Sequence, residues 1–82
     1  MLFRSAVAID FEAFLTRDVF IDYNFEEVMY RWDHREKKIY VKFYGAQERT
    51  EPVVPDHRLY REALCSGREI TREQYEKGFP RQ

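Results

Sequence analysis

Two short β-prone segments of matched parity constrain this chain more than anything else in it. Val28, Tyr30 and Trp32 alternate with Met29 and Arg31, and Ile39, Val41 and Phe43 alternate with Tyr40 and Lys42. A polar turn, His34-Arg35-Glu36-Lys37, lies between them. Pairing Asp33 with Lys38 sets Trp32 opposite Ile39, Tyr30 opposite Val41 and Val28 opposite Phe43. All six apolar side chains then fall on one face. The same stretch admits a helix: Asn24 with Glu27 resembles a capping box, and Phe25, Val28, Met29, Trp32, Ile39, Tyr40, Phe43 and Tyr44 fall at helical spacings. Ile39 to Tyr44 is a poor helix interior and a good strand. The expected structure is therefore a hairpin over 27–33 and 38–44, with Val28, Trp32, Ile39 and Phe43 buried.

The flanking segments read as follows. Val19 to Tyr23 is β-prone and bounded by Asp18 and Asn24, hence a strand. Asp10 can cap a short helix with Phe11, Phe14 and Leu15 on its apolar face; Val7, Ile9, Phe11, Ala13 and Leu15 equally fit a strand. The good helix formers Glu12, Ala13 and Leu15 tilt the choice toward helix. Gly45 and the stretch from Gln47 to Pro55 form a loop. Asp56 then caps a helix carrying Leu59, Tyr60, Ala63 and Leu64, with Gly67 as its left-handed cap. Thr71 and Gln74 make a capping box for a second helix, Ile70 and Tyr75 a hydrophobic staple, and Gly78 and Pro80 the stop. The fold class is α+β. A small antiparallel sheet of two to three strands packs against short helices, and the C-terminal part is a helical hairpin. At 82 residues the chain makes one domain, 1–82.

A composition of 44% hydrophobic and 35% charged residues excludes a disordered or low-complexity chain. No apolar run approaches the length of a membrane span. The single cysteine, Cys65, cannot form an internal disulfide, and Asp10 interrupts a mildly apolar N-terminus that resembles no signal peptide. These features predict a soluble, cytoplasmic protein.

Chemistry-bearing constellations are absent from the pattern. His34, His57 and Cys65 match no zinc spacing, and Cys65 beside Leu64 reads as core packing. The carboxylate pairs Asp10/Glu12, Asp18/Asp22 and Glu26/Glu27 read as a solvated acidic edge rather than an acid–base pair in a cleft. No glycine-rich phosphate loop occurs. The expectation is no catalytic residue, no metal, no cofactor and no enzymatic activity.

What remains is binding. Seven Phe, six Tyr and one Trp are more aromatic groups than a small core calls for, and Tyr and Trp suit interfaces. The face of the hairpin opposite its apolar side carries Met29, Arg31, Tyr40, Lys42 and Tyr44, with Arg35, Lys37 and Lys38 at the turn. Met, Arg and Tyr are types enriched at interface cores. This face is the candidate binding surface of a non-catalytic protein-binding module: an inhibitor, an immunity-type antitoxin or a small subunit. The expected partner is another protein, or a second copy in a homodimer formed through the second hairpin strand or through Val19 to Tyr23 as a sheet edge. The alternative is RNA or single-stranded DNA, since basic groups between tyrosines can track a backbone while stacking bases. A net charge of −1 ranks that second, because phosphate neutralisation needs excess basic charge.

Overall fold

A computed structural model describes residues 9–78. Strands β1 (Val19–Tyr23), β2 (Val28–Asp33) and β3 (Lys38–Phe43) are followed by helix α1 (Arg58–Ser66), strand β4 (Arg68–Ile70) and helix α2 (Arg72–Lys77). The four strands form one antiparallel sheet in the order β3-β2-β1-β4. The hairpin has the expected register, with Asp33 opposite Lys38, Trp32 opposite Ile39, Tyr30 opposite Val41 and Val28 opposite Phe43. Its turn places Lys37 at φ 61°.

The sheet has one strand more than expected, and the helical hairpin is not formed. β4 lies between the two helices and sends them to opposite faces of the sheet. Tyr60 and Ala63 of α1 pack with Val19, Ile21, Tyr23, Val28, Tyr30, Ile39 and Val41. Tyr75 of α2 packs with Phe20, Met29 and Ile70. β1 is therefore central, covered on both faces, and all five of its residues are buried. That removes Val19 to Tyr23 as a sheet edge. The outer side of β3 is also engaged: the carbonyls of Ile39, Val41 and Phe43 accept from the amides of Val53 (2.7 Å), Arg49 (2.9 Å) and Ala46 (3.0 Å).

Local capping follows the sequence in part. Asp10 accepts from the Glu12 amide and starts a helical turn over Phe11–Leu15, but the turn is 3-10 and tight. Its buried residue is Ala13, and Phe14 packs against the core, while Phe11 stacks on the outer side of Phe14 and Leu15 is exposed. Asn24–Glu26 is a second 3-10 turn, closed by Glu27 at φ 54°, so the helical alternative for this stretch ends after three residues. Helix α1 is capped at His57 rather than Asp56, with no side-chain cap bond. Gly67 is not left-handed: its φ is −84°. Its need for glycine is steric, because a Cβ there would stand 2.5 Å from the Ala63 carbonyl and 2.8 Å from the Asp22 carbonyl. Cys65 is exposed, not core. The Thr71–Gln74 capping box is complete, and Gly78 ends α2 at φ 86°. Val7 and Pro80 lie outside the described residues.

Candidate protein-binding surface

The five residues of the candidate face share one side of the sheet, but α2 covers much of it. Met29 is fully buried beneath Tyr75, with Phe20 and Ile70 beside it. Lys42 reaches the C-terminus of α2, where Nζ donates to the carbonyls of Tyr75 (2.9 Å) and Glu76 (3.1 Å) and sits 5.1 Å from the Tyr75 ring centroid. A cation there meets the negative end of the helix dipole. The Tyr44 hydroxyl donates to the buried Asp22 carboxylate, which also pairs with Arg68 of β4.

Arg31 anchors the rest. Its Nε and Nη2 donate to the two oxygens of Glu48 at 2.7 and 3.0 Å, and its Nη1 to Asp33 at 3.1 Å. The guanidinium also lies 4.6 Å from the Tyr40 ring centroid, and the Tyr40 hydroxyl donates to Glu36. Tyr75 donates to Glu48 at 2.5 Å, tying α2 to the same carboxylate. Burial pushes Glu48 upward, but hydrogen bonds from Arg31 and Tyr75 and the charges of Arg31 and Lys42 outweigh it and hold Glu48 below the ordinary value. The same donation, added to burial, pushes the Tyr75 hydroxyl up.

This arrangement matters for the choice of partner. The sheet brings together all five residues, but Met29 is internal and Arg31 and Lys42 are committed to groups within the chain. Of the two cations on this face, Arg31 is paired with carboxylates and Lys42 is held by the carbonyls at the end of α2, so neither is presented to a phosphate as an open cation.

The exposed apolar groups lie elsewhere. On the α1 side of the sheet, register aligns Tyr23, Val28 and Phe43 at one end. Phe25 lies against Tyr23 with the ring planes tilted by 37° and centroids 6.1 Å apart, and is 79% exposed. Phe43, expected in the core, is 37% exposed, since it ends β3 where the chain turns off into the loop. Next to it a groove of about 250 Å³ runs between β3 and α1. Buried Tyr30 and Val41 and half-buried Leu59 line it, together with exposed Phe43, Arg49 and His57. Val53 also lines the groove, while its neighbour Val54 is 58% exposed. The sequence carried one signal for this feature: Pro52 and Pro55 bracket two valines, more apolar surface than an ordinary loop needs.

Comparison with known proteins settles the family. The family model described as Tis1 immunity protein matches residues 7–79. The chain belongs to the Tis1 immunity protein family. It is 61% identical over 70 residues to "Immune protein Tis1" of Pseudomonas aeruginosa strain UCBPP-PA14, covering 85% of this chain and 91% of that protein. It also matches a chain in the crystal structure of the complex between the type VI effector Tas1 and its immunity protein. That match has 57% identity and a TM-score of 0.83, and covers 94% of this chain and all of the other. The immunity-type role expected from the sequence is the role of the family.

Proposed function

We propose that this chain binds a type VI effector related to Tas1 and neutralises it by occupying its surface, without catalysis, in the cytoplasm. The observation that carries the reading is the solved complex: a chain 57% identical over nearly this whole length is part of the crystal structure of the complex between Tas1 and its immunity protein. Two features of the fold suit the role. A helix packs on each face of the sheet and β3 is hydrogen-bonded to its loop, so little ordering is needed on association. Exposed Phe25, Phe43 and Val54 give it apolar groups that a partner can bury. The expected homodimer is a second association that this role does not require.

Dose tests the proposal. In cells producing Tas1, the chain restores growth only when its level at least matches that of the effector. Full protection at a small fraction of the effector's level would indicate turnover and sink the binding mechanism. No protection at any level would sink the proposal itself.

A further inference from the structure

Resting on that reading, we infer that the groove between β3 and α1 is where the effector docks. Its occupant is a segment of the effector that offers a bulky apolar side chain next to a carboxylate. The groove's own chemistry selects that segment. Tyr30, Val41, Leu59 and Phe43 supply an apolar lining. Arg49 stands over it, its guanidinium 5.7 Å from the Phe43 ring centroid. Among the described residues, Arg17, Arg31, Arg58, Arg68 and Arg72 each hold a carboxylate, whereas Arg35, Arg49 and Arg61 hold none, and of these three Arg49 is the one that lines the groove. An apolar cleft with an unmatched guanidinium at its mouth is complementary to an apolar group flanked by negative charge.

The cleft is also set in advance. The Arg49 amide is bonded to the Val41 carbonyl, Val53 to Ile39, and the His57 amide to the Val54 carbonyl at 3.0 Å. Backbone bonds therefore fix the main chain that carries Arg49 and the valine wall before a partner arrives, which lowers the ordering cost of association. At about 250 Å³ the groove is smaller than the usual small-molecule pocket of roughly 300–1,000 Å³. Exposed Val54 beside it, and Phe25 two strands away across the same end of the sheet, extend the apolar area beyond it. That shape suits one anchoring side chain within a wider protein interface.

The test uses Tas1 as the probe and compares Arg49→Glu, Val54→Asp and Arg35→Glu with the wild-type chain by calorimetric titration. Melting curves and sedimentation are recorded for each. Arg35→Glu makes the same charge change at the far end of the hairpin. The expected result is that Arg49→Glu and Val54→Asp each weaken binding by about tenfold or more, while Arg35→Glu binds as wild type and all three melt as wild type. If wild type binds and the two groove variants bind equally well, the groove is not the docking site, although the proposed function stands. If wild type itself fails to bind Tas1, both are overturned. A dimer of the free chain that Arg49→Glu abolishes, with Tas1 binding unchanged, would assign the groove to a second copy and overturn the inference.

Discussion

Asp22→Ala is expected to cost about 3–5 kcal/mol of folding stability, the range for removing one member of a buried ion pair. Asp22 sits on the central strand and is 1% exposed. It lies directly opposite Arg68 of β4 in the pairing register. Arg68 Nε donates to it at 3.3 Å, and Nη2 stands 3.2 Å away, placed for attraction but not aligned for a hydrogen bond. Tyr44 donates to the carboxylate from the other side. Removing Asp22 leaves a cation with a buried nitrogen that has no other partner, and takes away the acceptor of the Tyr44 hydroxyl. It also loosens the only side-chain ion pair that links β4 to β1 directly across the register among the described residues. A chain of 82 residues has about 4–12 kcal/mol in all, so the variant loses a large share of its stability. Urea denaturation measures the loss. Asp22→Ala combined with Arg68→Ala should cost less than the sum of the two single changes, because the second removes the charge the first strands. A loss below about 1 kcal/mol for Asp22→Ala would contradict the assignment.

Tyr75→Ala is expected to cost about 3–5 kcal/mol, the usual range for deleting a large buried aromatic side chain. Tyr75 is 3% exposed and packs on Phe20 at 5.3 Å between ring centroids. It also holds Glu48 through its hydroxyl. Helix α2 has only six residues, too few to persist without packing, so its capping box and its C-terminal cation at Lys42 depend on this ring. Hydrogen exchange of the α2 amides should therefore rise with the loss of global stability, and Met29 should become accessible. Tyr75→Phe keeps the ring and loses only the bond to Glu48, for about 1–3 kcal/mol. If Ala and Phe cost the same, the ring is not what closes this face.

The residues that were legible beforehand and those that were not differ in one respect: whether their signal is local. The hairpin register follows from period-two alternation on either side of a polar turn, and both are contained in Val28 to Phe43. Thr71 with Gln74, and Gly78, likewise act within the turn at each end of α2. β4 has no such signal. Arg68-Glu69-Ile70 offers one apolar residue, and its strand character comes from pairing with β1, nearly fifty positions away. Missing β4 merged α1 and α2 into a hairpin and left the Met29 face open. The same limit applies to the surface. The aromatic excess suggests a binder, yet four of the six tyrosines are buried in the fold, and exposed Phe25 and Phe43 are the same residue type as buried Phe20. Their places in the fold decide which rings stay outside: Phe25 sits on the short turn after β1, and Phe43 ends β3. Arg49 illustrates it further: nothing in the sequence separates it from Arg31, yet one finds no carboxylate and the other finds two.

The central claim is that this chain protects by stoichiometric binding to an effector. Calorimetric titration of Tas1 with the wild-type chain tests it most directly. The account predicts saturation near one chain per effector, a dissociation constant of about 1 μM or tighter, and a negative heat-capacity change from burial of the exposed aromatic groups. A titration without heat or saturation at any temperature, in a chain shown by its melting curve to be folded, would contradict it.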